Sequence, residues 1–325
     1  MKRQTIKTYS LRTIDWFENK VIDWNCAGTQ YSVDGDAKQL QYYHFGFRCD
    51  GAISSTSGEY VLMYKKLGTK GLLLRNGKLL REINRTYYQS EEYEFPAAFL
   101  DYQGRTYLVH CPVNYCQLDI EDAETGEIIT NTVERKPSDV FHSRLEVSPD
   151  NKYILSKGWY WHPWDGVELF NVEDCLANPT LLDNGRMPPK VSTEISSASF
   201  INQEEILLWA NNEEPMDEDS DVPIPPGHLA IWNIRTDTIS NAVQVKGVCG
   251  NILAIDDKRC WDLMDYPKII SLESGEIIDE NHEVFSGKPS SSIIYYPEQT
   301  TQIAYNRATK QVAIGHDYTI EILTL

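Results

Sequence analysis

The sequence predicts an all-β protein: a seven-bladed β-propeller of four-stranded antiparallel blades, its ring closed by the N-terminal strand. Three observations carry this expectation. A hairpin signature recurs seven times, in "WFENKVIDW", "STSGEYVLM", "LDYQGRTYLV", "VSPDNKYIL", "FINQEEILL", "IDDKRCWDL" and "YNRATKQVAI". Its turns centre near Asn19, Gly58, Gly104, Asn151, Gln203, Asp257 and Ala308, in successive steps of 39, 46, 47, 52, 54 and 51 residues. Propeller blades repeat every ~40 to 45 residues, with longer steps where a loop is inserted. Both ends of the chain, finally, read as strands. A helical repeat of similar length would need apolar residues at i, i+3 and i+4 with caps, and no unit has them.

The blades are expected at 10–46, 47–86, 92–133, 140–184, 194–245, 248–284 and 288–325, the last joined by 4–11, as one domain over 1–325. Blade one opens with the first hairpin. In blades two, three, five and six a second hairpin follows, turning at "RNGKLL", "ETGEII", "RTDTIS" and "ESGEII" after the alternating segments "KGLLL", "YCQLDIEDA", "HLAIWNI" and "PKIISL". Apolar alternation broken by a Gly or Asp turn and then resumed is the hairpin pattern. Blade seven ends in "TIEILTL", a third strand with nothing after it, while "TIKTYSL" at 5–11 is extended and precedes the first complete unit. Paired beside 318–325, that segment would cover two edges that otherwise invite aggregation.

Particular residues resemble the WD-repeat type of propeller. "LEVSPDNKYILSKG" (145–158) is similar to that family's first hairpin, and "LAIWNIRTDTI" (229–239) to its third strand, with Trp232-Asn233 where the family places Trp-Asp. Phe170-Asn171 and Leu118-Asp119 end similar strands. The family's Gly-His pair is missing from its usual place in every unit, a departure that touches the buried His-to-Asp network such repeats carry.

Composition narrows the function. A formal charge of −18 opposes binding to a phosphate backbone, which depends on Lys and Arg displacing counterions, and the basic clusters Lys65-Lys66 and Arg135-Lys136 are too short to outline a groove. Nucleic acid and anionic membrane are not expected partners. The N-terminus lacks an apolar signal core and no stretch is long enough for a membrane span, so a cytoplasmic location and an incidental "NRT" sequon at Asn84 are expected. Seven scattered cysteines, an odd number, point to free thiols, with no disulfide and no zinc. His110, Cys111 and Cys116 have an adjacent-pair spacing that lacks a second ligand pair. A monomer without cofactor or metal is expected.

The most unusual stretch is "KGWYWHPWDG" (157–166), expected as the loop between the second and third strands of blade four. Such loops share a face with the links between blades. On that face fall "TYYQSEEYEFP" (86–96), "CPVNYC" (111–116), "VFHS" (140–143) and the acidic insertion "NNEEPMDEDSDVPIPPG" (211–227). The insertion lacks the D-x-D-x-D-G spacing of a calcium loop and reads as a solvated segment. Exposed Trp and Tyr are enriched in interface hot spots. The candidate partner-binding residues are therefore Trp159, Trp161, His162, Trp164, Asp165, Tyr87, Tyr88, Tyr93, Tyr115 and His142, set against a purely structural reading in which the tryptophans wedge between blades. Alternation puts Trp159 and Trp161 on one side and Tyr160 on the other. Trp164 is expected as the exposed anchor and Trp159 as the buried wedge.

The expected function is a cytoplasmic interaction scaffold that docks a protein or peptide, basic if it is to meet the carboxylates and stack on the rings. The alternative is a hydrolase-type enzyme or small-ligand binder at the central mouth, using His142, His162 and Asp165 with Glu91, Glu92 and Glu94. No nucleophile elbow, zinc-protease or phosphate-loop motif is present, and non-enzymatic function is expected.

Overall fold

A computed structural model describes residues 1–32, 36–161, 163–213, 222–240 and 242–325. The acidic insertion lies largely outside the described residues, as does His162. Seven antiparallel sheets form the ring of a β-propeller. Blades one, two and six have four strands in simple order, beginning with Asp15–Phe17, Gly51–Ser54 and Ile252–Ala254. Blade three has three strands, from Ala97–Tyr102 to Asp119–Asp122, and its outer edge is a single bridge between Glu121 and Ile128. In blade five the outer edge is shared by Thr238–Ile239 and Val243–Gln244.

Blade four is the least regular. Its inner strand is broken into Val140–Phe141 and Glu146–Val147, both paired with the long strand Tyr153–Tyr160. Outside Trp164–Asn171 only a bridge between Leu169 and Arg186 remains, and a helix, Val172–Ala177, stands where the outer strand was expected. The local reason is a cap. The Asn171 side chain accepts from the Asp174 amide, Glu173 and Asp174 occupy the first turn, and Val172 and Cys175 are buried. An Asn cap and early carboxylates both favour helix over strand.

Each blade buries its faces against its neighbours. Seven apolar clusters result, one in each seam of the ring, from Ile22, Val61 and Met63 between blades one and two to Leu11, Val21 and Ile320 between seven and one. Polar links cross the seams as well. Ser197 and Ser199 of blade five accept the Ile252 and Ala254 amides of blade six at 3.2 and 3.1 Å, and the Trp16 indole donates to the Ala304 carbonyl at 3.0 Å.

The ring closes through the N-terminal strand, with a corrected register. Lys2–Lys7, rather than 4–11, pairs with Thr319–Thr324, and Thr8 still donates to the Tyr318 carbonyl at 2.8 Å. Ile6 is the strand's one buried residue and enters the seam cluster opposite Ile320. Arg3 and Thr5 hold Glu321 at 2.8 and 2.7 Å, which fixes the register from the outer face. Leu11 leaves the sheet and packs with Ile14 in the seam between blades seven and one.

All seven cysteines are free, five of them buried. His110 bonds Glu121 at 2.9 Å, and Cys111 packs into the apolar seam between blades three and four. Among the described residues no helix is long and apolar enough to cross a membrane.

If ring closure is part of the cooperative unit, Ile6→Ala should lower stability by about 2–4 kcal/mol, the cost of a large-to-small change in a core. Replacing the exposed Lys2 should leave the thermal midpoint unchanged, and a thermal melt of both variants checks the contrast.

Candidate functional site: an aromatic face over the ring mouth

The blade-four hairpin positions the site. Its register sets Gly158 opposite Gly166, Trp159 opposite Asp165 and Tyr160 opposite Trp164, so the turn proper begins at Trp161. A side chain at Gly158 would place its Cβ 2.2 Å from the Phe141 carbonyl oxygen, so only glycine allows the inner strand to lie this close. That approach lets the Trp159 ring stack on Phe141 at 3.8 Å, nearly parallel. Tyr115 stacks on Phe141 at 4.5 Å and Tyr93 meets it edge-on at 5.5 Å. Trp161 lies 5.8 Å from Trp159, and Tyr88 lies 6.1 Å from Trp161. As alternation requires, Tyr160 points the other way, and its hydroxyl donates to Glu168 at 3.1 Å.

The link that carries the tyrosines is held by Arg85. Its guanidinium is buried over the Tyr93 ring at 4.4 Å and donates to the carbonyls of Gly68, Ser90 and Tyr93 at 2.7, 2.7 and 2.9 Å. A buried charge is tolerable when its donors are satisfied in this way.

A second segment, unexpected from the sequence, crosses the mouth of the ring. After blade six, Ser286 is tied to Leu263 and Asp265. The chain then runs across to blades three and four, where Ile293 forms a bridge with Tyr93 and the Ile294 amide donates to the Glu92 carbonyl at 2.7 Å. It returns by Gln299, whose carbonyl accepts from the Lys288 amide at 2.9 Å. Asp165 fastens the far end, accepting from the Ser292 amide at 3.0 Å and from its hydroxyl. Burial pushes the Asp165 carboxyl upward, while Arg144 and Ser292 hold it down. Ile293 seats in the aromatic cluster with Tyr93, Phe141 and Trp159.

The face above carries exposed aromatics. Trp161 is 44% exposed against 4% for Trp159; Tyr87, Tyr88, Tyr295 and Tyr296 are exposed too. Two adjoining hollows are lined by Trp161, Tyr295 and Tyr296. One, of about 370 Å³, is lined by Gln89, Glu92, Trp159, Trp161, Pro163, Ile293 and Tyr295. The other, of about 850 Å³, lies between the crossing segment and the rims of blades five and six, and includes Trp164, Glu194, Glu213, Val248 and Tyr296. Pro163, Ile293 and Tyr295 belong to both.

The residues singled out from the sequence thus divide. Tyr88, Tyr93, Tyr115, Trp159 and Trp161 come together in one ring cluster. Tyr87 stands exposed beside it. Trp164 is half-buried and lines the larger hollow, which corrects the expected anchor: the hairpin register keeps Trp164 within a strand, and Trp161 opens the turn. His142 and Asp165 are buried, as are Tyr93 and Trp159, and support the surface from beneath. His142 bonds Ser156 at 3.0 Å inside blade four, and burial lowers its pKa to about 4. His142 and Asp165, two members of the acid–base group considered for the mouth, are therefore engaged in the interior. Sequence reading missed Tyr295 and Tyr296. Their signal was "IIYYP", two rings before a proline in a link, hidden by counting the link into blade seven.

At the opposite mouth Arg307, from the first turn of blade seven, forms an ion pair with Glu146 of blade four. Glu146 also holds Lys157 at 2.6 Å and the Phe200 amide at 2.9 Å. Burial lowers the pKa of Lys157 to about 7, with Arg144 adding to the effect.

Fold and face together define a seven-bladed β-propeller with one aromatic rim. No family model matches the chain, and no curated protein sequence is significantly similar to it.

Two substitutions separate support from surface. Trp159→Ala should cost about 3–5 kcal/mol, as for a buried aromatic, and Trp161→Ala less than about 1 kcal/mol; urea unfolding of the two measures the difference. Asp165→Ala should free the crossing segment, leaving the Ser292 amide without its acceptor, and speed chymotryptic cleavage after Tyr295 in the folded protein.

Proposed function

We propose that this protein is a non-enzymatic interaction scaffold, a divergent relative of the WD-repeat propellers that works in the cytoplasm and docks a peptide segment of a partner protein on its aromatic face. The observation that carries the reading is the set of exposed rings, Trp161, Tyr295 and Tyr296, that line two adjoining hollows, with Tyr88 beside Trp161, above a stack of buried ones. Rigid aromatics with few rotatable bonds lose little entropy on binding, and Trp and Tyr dominate interface hot spots. A ring fixed by Phe141 and Trp159 below it is already in place when a partner arrives.

The charge favours a basic partner. Among the described residues Glu92, Glu194 and Glu213 line the hollows against one cation, Lys288, and the chain as a whole carries −18. Such a field speeds association with cationic segments and weakens as salt rises.

Capture of a bead-displayed peptide library tests the reading. Selected peptides should be basic and should lose roughly thirtyfold or more in affinity when Trp161 and Tyr295 are both changed to Ala, the scale of hot-spot truncation. A double variant that keeps its melting temperature and binds the selected peptides as tightly as the parent would place the site elsewhere.

A further inference from the structure

The smaller hollow has a composition that selects among cations. Among the described residues its walls are the rings of Trp159, Trp161 and Tyr295 with Pro163 and Ile293, and the polar groups are the side chains of Glu92 and Gln89, the Tyr295 hydroxyl and the indole N–H groups. We infer that this hollow binds an alkylated ammonium group, in a peptide the side chain of a methylated lysine, seated against Trp161 and Tyr295 with Glu92 as its counter-charge. The inference rests on the docking face proposed above and names the group that the face reads.

The choice follows from donors and surfaces. An unmodified lysine ammonium brings three N–H donors and an arginine five, and each donor taken from water needs an acceptor. Among the described residues the side-chain acceptors at this site are Glu92, the Gln89 amide oxygen and the Tyr295 hydroxyl, three groups to meet the five donors of a guanidinium. A quaternary ammonium has no donors to satisfy. Its positive charge spreads over methyl groups that meet ring faces directly, where the aromatic quadrupole attracts a cation. A neutral group of the same shape would gain the apolar contact and lose the attraction both of the rings and of Glu92. Volume agrees with this occupant: about 370 Å³ accommodates a branched ammonium head, and Tyr295 and Pro163 continue into the larger hollow, giving the flanking peptide a path past Glu194, Glu213 and Lys288.

Trp161 reports on the site directly. It is exposed, so its substitution leaves the fold in place, and its indole N–H resonance can be followed in the full chain labelled at tryptophan. Titration with tetramethylammonium chloride, against sodium chloride at matched ionic strength, should shift that resonance saturably. tert-Butanol, a neutral probe of similar size, should not. Glu92→Gln should weaken tetramethylammonium binding roughly three- to tenfold, within the range of a single counter-charge at a partly exposed site, and Trp161→Ala should abolish it. In peptides selected from the library, trimethylation of the central lysine should raise affinity several-fold over the unmodified form. No saturable shift with tetramethylammonium, or an equal shift with the neutral probe, overturns the assignment. So does a selected peptide that needs Trp161 but binds equally with and without methylation, an outcome that leaves the docking face standing. Tetramethylammonium binding without capture of any peptide would sustain the cation site and overturn the protein-docking reading instead.

Discussion

Pairing of Lys2–Lys7 with Thr319–Thr324 is the interaction on which the rest of the molecule depends. Each blade buries apolar surface on both faces, and each seam cluster draws on two blades, so no blade is complete without both neighbours. In an open chain of blades the first and last would each expose one face and one strand edge. The closing strand removes the edge, and the seam that holds Ile6 and Leu11 removes the face. Loop closure over the full chain costs entropy that grows only slowly with length, so one well-packed strand suffices to offset it.

With the ring closed, its centre becomes a place where distant segments meet. At one mouth Arg307 reaches Glu146 from the far side of the ring, and at the other the segment around Ser292 reaches Asp165. Both contacts join blade four to the link before blade seven or to blade seven itself. That helps to explain how the broken inner strand of blade four is tolerated. Glu146, placed just beyond the break, has its carboxylate satisfied by Lys157, Arg307 and the Phe200 amide. Buried charges elsewhere follow the same rule. Lys268 is wholly buried yet lies 3.0 Å from Asp262 and donates to the Met264 and Tyr266 carbonyls at 2.5 and 3.0 Å, while Asp262 also accepts the Gly250 and Asn251 amides. In blade one Asp23 receives the Arg12 and Thr13 amides from the link. A carboxylate at the end of a second strand thus fastens the incoming link in both blades.

The aromatic face is a by-product of these constraints. Phe141 sits where the inner strand of blade four is about to break, Trp159 stacks on it because residue 158 is glycine, and Ile293 closes the cluster from the crossing segment. The buried rings hold Trp161, and the crossing segment presents Tyr295 and Tyr296 beside it. A surface assembled from blades three and four and two links gains rigidity from the packing beneath it, which a single loop does not have.

The amino-acid sequence by itself determined the number of blades, the hairpins and the face on which the aromatics gather. Those features are local: alternation fixes which side chains share a side, and turn residues fix where strands reverse. It placed Trp159 and Trp161 on one side for the same reason. The register of the closing strand was not legible, since Ile6 and Leu11 are five residues apart and alternation assigns them to opposite faces, leaving either free to enter the seam. Nor did pattern alone distinguish helix from strand after Asn171, where a cap and two carboxylates outweighed the blade's period. Trp159 was expected as the buried wedge, but which of the other rings are covered and which exposed was decided only in three dimensions. Trp159 is buried, and Trp161 is not, because Phe141, Tyr93 and Ile293 converge on the first from separate parts of the chain. The path of 288–299 across the mouth depends on Asp165 and Tyr93, acceptor and bridge partner far away in sequence, and no local property of "SSSIIYYPEQ" encodes a contact whose other half lies across the ring.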